Sequence, residues 1–277
     1  MKVHIAERLR AYVDACHPGP TATVTFVITA VAVGAGRDRV GVVLVAGSVL
    51  AGQLSVGWSN DARDVDRDLR SGRSTKPTVR GDITASLLWR SAFVALAASM
   101  ALSYVAGGLI GGSAHVLAVL SAWAYNLALK TTMWSALPFA VSFGLVPTFI
   151  TYGLTPAAPA ALWVTVTWAL MGVGAHLANA MPDIDSDLAV SAGGVAAALG
   201  RRATTWMTLL CIVSAVTLLA VHLGTTGPIA AVVVSVAVVG AIAVARLGHG
   251  RAMFGFVQAL AVCAVLMLVA SAAQITG

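Results

Sequence analysis

Apolar residues run along this chain in long, nearly unbroken stretches, and the polar positions gather in short links between them. A helix that crosses a bilayer needs about 20 mainly apolar residues. Nine stretches meet that length, roughly 20–36, 40–60, 83–107, 109–129, 134–153, 158–180, 203–223, 228–246 and 253–275. The pattern predicts an all-α, polytopic membrane protein: nine transmembrane helices in a bundle around a central cavity. His17-Pro18-Gly19-Pro20 opens the first helix, as a breaker cluster with an early proline does well. The residues before it, Met1 to Arg10, read as an amphipathic surface segment without the apolar core of a signal peptide.

The polar positions carry a second pattern, which occurs twice. Asn60-Asp61-Ala62-Arg63-Asp64-Val65-Asp66-Arg67-Asp68-Leu69 and Asn179-Ala180-Met181-Pro182-Asp183-Ile184-Asp185-Ser186-Asp187-Leu188 share Asn-x3-Asp-[Val/Ile]-Asp-x-Asp-Leu. Residues four and eight apart on a helix lie one above another. Each copy therefore presents a column, Asn60, Asp64 and Asp68 in the first and Asn179, Asp183 and Asp187 in the second. Like charges at that spacing repel, so the columns need positive charge between them, and oxygen-ligated Mg2+ is a natural candidate. Asp66 and Asp185 fall off the column and take supporting roles.

Composition agrees with a membrane protein: 58% of residues are hydrophobic and 10% charged, with mean hydropathy +0.88, against about 25% charged for a soluble domain. The net charge of +6 would suggest nucleic acid in a soluble chain, but here it follows topology, and no nucleic-acid partner is expected. With the amino terminus inside, the cytoplasmic face receives Lys2, Arg8, Arg10, the six basic residues from Arg63 to Arg80, Lys130, Arg201, Arg202, Arg246 and Arg251. The far face receives Arg37 and Arg39. That asymmetry orients the bundle and puts both columns at the cytoplasmic surface, at the ends of the second and sixth helices. Helices four apart run the same way, so the columns are parallel copies. Residues 1–277 then form one domain of two pseudo-repeated halves, about 20–129 and 134–246, plus a ninth helix. Cys16, Cys211 and Cys263 lie far apart and read as packing residues.

Seven of the eleven acidic residues sit in the two copies, Asp61 among them. Arg67 is interleaved with the first column, and Arg73-Ser74-Thr75-Lys76-Pro77 follows it. Carboxylates that collect Mg2+ beside a basic loop suit a diphosphate, whose oxygens the metals bridge while Arg and Lys hold the remainder. A solvated acidic face is the plainer alternative, but it gives no reason for the same pattern twice.

On these residues the chain resembles the UbiA superfamily of intramembrane prenyltransferases. The first signature, Asn-Asp-x2-Asp-x3-Asp, stands as Asn60, Asp61, Asp64 and Asp68, the second, Asp-x3-Asp, as Asp183 and Asp187, and the basic loop ends in Lys76-Pro77. The resemblance implies that these Asp and Asn side chains hold Mg2+ and are catalytic. The bound prenyl diphosphate ionises to an allylic cation, and the prenyl chain lies in an apolar tunnel within the bilayer. The acceptor would be aromatic or lipid-like. A terpene cyclase of the same superfamily, needing no second substrate, is the alternative. A divalent-cation transporter is the reading from another class, and arginines around the carboxylates weigh against it.

Further candidates surround that site. Gln53 and His176 each lie seven residues before a column residue, two turns deeper on the same face, and can orient an acceptor or take its proton. Arg90, inside the third helix, and Asn179 are the other acceptor or cavity candidates. Arg67, Arg73, Lys76, Lys130 and Arg201 are the candidates for diphosphate. Pro182 is expected to kink or end the regular helix within the second column. The protein is expected to sit among membrane lipids, in a bacterial inner membrane, with the site facing the cytoplasm.

Overall fold

In the computed structural model the described residues are 2–70, 75–189, 193–222 and, singly, 269, 273, 275 and 276. Helices α1 (Lys2–Ala15), α2 (Pro18–Gly34), α3 (Arg39–Arg70) and the short α4 (Pro77–Arg80) lead into α5 (Ala85–Ala124), which a π-turn, Tyr125–Leu129, extends. Then come α6 (Leu137–Gly144), α7 (Val146–Thr151), α8 (Leu162–Ala180), a 3-10 turn at Met181–Asp183, α9 (Ile184–Ala189) and α10 (Val195–His222). Among the described residues the only β feature is an isolated bridge between Ala160 and Thr276.

Nine uniform spans are not what these residues form. By length and composition three described stretches can cross a membrane, Arg39–Leu69, Ala85–Leu129 and Val195–His222, or four if α1 and α2, bent by 64°, count as one; the second of these stretches is itself folded back at Gly108. The stretch 134–153 breaks into α6 and α7, each with a proline in its first turn, Pro138 and Pro147, where a helix starts without loss. The expected helix 228–246 lies outside the described residues, as does nearly all of 253–275.

The separate helices expected at 83–107 and 109–129 meet at Gly108, whose φ of 62° and ψ of −160° lie outside helical space. A straight helix would hold Ser103 and His115 about 18 Å apart. Their Oγ and Nδ1 atoms are 2.6 Å apart, and the rings of Trp89 and Trp123 stand 5.9 Å centre to centre. α5 is therefore a hairpin of two arms, 85–107 and 109–124, that returns the chain to the face where it began. Gly108 supplies the turn because a residue with a Cβ resists that backbone conformation.

In the bundle α3 packs along α5, α2 along α3, and α8 between α6 and α10. The buried centre includes Val45, Val49, Phe149, Ile150, Leu177 and Leu209. In lipid such helices associate through close packing and interhelical hydrogen bonds rather than through release of water. α1 is tied down by one aromatic residue: Trp58 Nε1 donates to the Tyr12 carbonyl (3.0 Å), and the Tyr12 ring meets Trp58 edge-on.

Opposite the end of α3, the buried Arg37 closes the bundle. Its guanidinium donates to the Ala106 carbonyl (2.6 Å), just before the hairpin turn, and to Ile150 (3.4 Å) in α7. In Arg37→Met the buried Ala106 carbonyl loses that donor, which costs about 1–3 kcal/mol. The thermal unfolding midpoint in detergent should fall by several degrees, at about 2–4 °C per kcal/mol for a chain of this size. Arg37→Lys should recover only part, since an ammonium lacks the planar fork. An unchanged midpoint in Arg37→Met would remove the clamp.

Candidate active site

The regular helix of α3 runs past the expected end at residue 60 to Arg70, so the first column sits on unbroken helix. Asn60 and Asp64 do share a face: Lys130 Nζ donates to Asn60 Oδ1 (2.9 Å) and to Asp64 Oδ2. Asp68, one turn further, is buried and adds its field to the same ammonium. Lys130 reaches them because the π-turn Tyr125–Leu129 shifts its register, its N–H returning to the Tyr125 carbonyl (3.0 Å). Asn126 pins that turn to α3 by donating to Val56 O (2.9 Å) and Ser59 Oγ (3.0 Å).

Asp61 occupies the neighbouring face and is fully buried. Its Oδ1 accepts from Lys76, the one residue of the basic Arg73–Lys76 segment's charged pair that the structure describes, and lies 3.0 Å from His17 Nε2. His17 was legible in the sequence only as part of a helix-breaking cluster. It holds a left-handed conformation, φ 55°, at the elbow between α1 and α2, where its ring also approaches Asn60 Nδ2 (3.4 Å) and Lys76 Nζ (3.3 Å). Gly57, one turn before Asp61, admits that elbow, since a Cβ there would stand 2.7 Å from the Cys16 carbonyl. The signal was present: a histidine beside prolines at a helix mouth, on the face to which the charge count assigns both columns.

The second column is not one helix. Pro182 lacks the N–H that would continue α8, and the backbone tightens into the 3-10 turn Met181–Asp183 before α9, as expected of that proline. Arg201, expected at the diphosphate, donates instead to the Met181 carbonyl (3.1 Å) and Asp185 Oδ2 (2.7 Å), so it braces this turn. Asp187 lies on α9; its side chain is outside the described residues, as is Arg73.

Asn60 of the first column and Asn179 and Asp183 of the second line one cavity of about 970 Å³. Asn60, Arg67, Lys130, Asn179 and Asp183 stand at its polar end, with Gln53 and His176 deeper. Val27, Ile28, Phe143, Trp168, Met171 and Ile212 line the remainder. Asp64 instead opens, with Arg63, Asp66, Arg67 and Lys130, onto a smaller cavity of about 200 Å³. Arg90 is exposed and lines neither, a change from expectation: Leu88 and Ala92, two positions before and after it, face the buried side of that arm and turn Arg90 outward. His176 Nε2 is 3.2 Å from Ser135 Oγ, which accepts from the Val195 N–H (3.0 Å), and Phe139 stacks on the imidazole at 4.4 Å. Ser135 thus joins α8 to the start of α10, a role its sequence context does not display. Cys16 and Cys211 are buried free thiols; Cys263 lies outside the described residues.

Whether the donors suit a metal can be tested on these residues. The column side chains offer oxygen alone, the preference of Mg2+, and the buried Asp61 Oδ2 has no hydrogen-bond partner. Among the described residues no three His, Cys, Asp or Glu side chains gather tightly enough to hold one ion. Mg2+ is commonly held by one or two carboxylates and completed by substrate phosphates and water, so the set fits that ion.

The fold and the site define an all-helical membrane protein with an acidic-and-basic mouth over an apolar cavity. The pattern of the UbiA prenyltransferase family, an integral membrane family, matches residues 21–253, and the chain belongs to that family. No curated protein matches it. Among solved structures it is similar to a UbiA homologue from Archaeoglobus fulgidus bound to DMAPP and Mg2+ (16% identity, TM-score 0.69, covering 94% of this chain and 99% of that one). It is also similar to digeranylgeranylglyceryl phosphate synthase (14%, TM-score 0.73, 97% and 99%). A UbiA homologue from Aeropyrum pernix K1 in its apo form is a third (20%, TM-score 0.65, 92% and 98%).

Burial pushes the Lys130 ammonium below its ordinary value of 10.5, and Asp64 pulls it partly back. Between the folded value and 10.5 the unfolded chain holds more protons, so stability rises with pH through that window. In Asp64→Asn the upward pull is lost and the folded value drops further. The rise in thermal midpoint should then begin at lower pH than in the unsubstituted protein, as a pH series of unfolding scans would read. The same onset in both would mean that Asp64 does not hold the Lys130 proton.

Proposed function

We propose that this protein is a Mg2+-dependent intramembrane prenyltransferase that ionises a prenyl diphosphate and transfers the prenyl group to an aromatic or lipid-like acceptor. The observation that carries the reading is the shared cavity: Asn60 from one copy of the motif and Asp183 from the other stand at one polar mouth, with Lys130 beside Asn60 and apolar depth beyond. The relative solved with DMAPP and Mg2+ supports it. The site faces the cytoplasm of a bacterial inner membrane, as the distribution of Lys and Arg favours. The chain is one domain of two pseudo-repeated halves, 20–129 and 134–246, with a ninth helix.

Asn60, Asp61, Asp64, Asp68, Asp183 and Asp187 are the residues that would hold Mg2+, which supplies charge neutralisation for the departing diphosphate. Lys130 and Arg67, at the mouth, bind the diphosphate oxygens directly; Lys76, and Arg73, which lies outside the described residues, are the further candidates for those oxygens. Arg201 acts through Asp185 to steady the turn that carries Asp183. The prenyl group enters the apolar part, where Val27, Phe143 and Met171 keep water from the cation as the C–O bond opens. Gln53, His176 and Asn179 face the cavity above that chain and orient the acceptor, which gives up a proton as the new bond forms. Cyclisation of the prenyl chain is the second reading, favoured by the aromatic rings of Tyr125, Phe139 and Phe143 along the cavity, whose faces attract a cation.

Asp64→Ala and Asp183→Ala should each lower diphosphate release by about 100-fold or more, the scale of losing one group that stabilises developing charge, while the fold is retained. Unchanged turnover would sink the site assignment. Incubation with farnesyl or geranylgeranyl diphosphate and Mg2+ separates the two readings. A cyclic hydrocarbon or alcohol without acceptor means cyclisation, whereas a prenylated product only with added aromatic or lipid acceptors means transfer.

A further inference from the structure

We propose that one face of α8 measures the prenyl chain, with Trp168 as the stop and Ala175 as the open wall, so that the cavity takes chains of up to three isoprene units; this rests on the functional reading above. Asn179, Ala175, Met171 and Trp168 follow one another at spacings of four, four and three, which puts them on a single helical face, and all four line the cavity. The face changes character along its length. Ala175 is exposed although its neighbours Gly174 and His176 are buried, so its methyl group looks into the cavity and leaves room there. Trp168, at 2% exposure, is wedged into the same buried core cluster as Ile28 and Ile212.

The dimensions give the length. From Asn179 to Trp168 is eleven residues, about 16 Å at a rise of about 1.5 Å each. An extended chain of three isoprene units has twelve main-chain carbons. With bonds of about 1.5 Å in a zigzag, each advancing about 1.25 Å, its eleven bonds and the C–O bond to the diphosphate span about 15 Å. A fourth unit needs about 5 Å more and meets the indole. The polar end, where Asn60 and Asp183 stand, is taken by the diphosphate, so the chain cannot shift toward the mouth to make room.

The test reads binding, so it needs no acceptor. Prenyl S-thiolodiphosphates of ten, fifteen and twenty carbons are titrated with Mg2+ into the full chain in lipid nanodiscs, by calorimetry. The unsubstituted protein should bind the fifteen-carbon compound at least tenfold tighter than the twenty-carbon one. Trp168→Leu should shrink that ratio by about tenfold, and Ala175→Phe should weaken fifteen carbons against ten by about tenfold. Inorganic diphosphate, bound at the mouth, should be unaffected in both. If Trp168→Leu does not fold by its unfolding midpoint, Ala175→Phe decides alone. Equal affinity for fifteen and twenty carbons, or ratios unmoved by the folded variants, overturns the ruler while leaving the prenyltransferase reading in place. A protein that binds none of the three overturns that reading and the ruler with it.

Discussion

Carboxylates stacked at every turn of one helix repel one another, and much of this structure can be understood as a means of bringing positive charge to them. The first column sits on a helix whose own sequence sets only Arg67 beside those carboxylates. Lys130 reaches Asn60 and Asp64 from the far arm of a hairpin, and Lys76 and His17 reach Asp61 from a loop and an elbow. Each of these groups arrives from a different element. The acidic face therefore couples the packing of α1, α2, α3 and α5 to one small region.

Delivery of Lys130 explains two departures from regular helix. Gly108 reverses the chain so that α5 comes back to the face from which it left. The π-turn Tyr125–Leu129 then adds a residue to the last turn and re-aims the side chain that follows, with Asn126 fixing its register on α3. π-turns are rare, occur as single turns inside α-helices, and are frequent at functional sites. Here the turn ends on the column.

The second wall is built differently. Pro182 breaks α8, and the 3-10 turn that replaces it carries Asp183 to the cavity, braced by Arg201 through the Met181 carbonyl and Asp185. The alternation of aspartates thereby divides the labour within one copy, since Asp183 faces the cavity while Asp185 holds the arginine. The polar end passes within three helical turns of α8 into Met171 and Trp168. A charged group and an apolar chain can thus be held at once, each in the environment it prefers, and water has little to bind in the depth.

The sequence by itself determined the all-helical character, the positions of the first seven apolar stretches, and the first column with its i, i+4 phase. All of these are local properties: hydrophobic run length and helical periodicity are written into consecutive residues. The break at Pro182 was equally legible, because a missing N–H acts within one turn. Only the tertiary structure decided which cation meets which carboxylate. His17 looked like a helix breaker, Arg201 like a diphosphate ligand and Arg90 like a cavity residue, because a sequence shows a side chain's charge but not the direction in which its helix turns. The partners of Ser135 and of the elbow at His17 were hidden for the same reason. Their contacts join residues 41 and 44 positions apart, and such pairings arise from how helices pack, which no local pattern encodes.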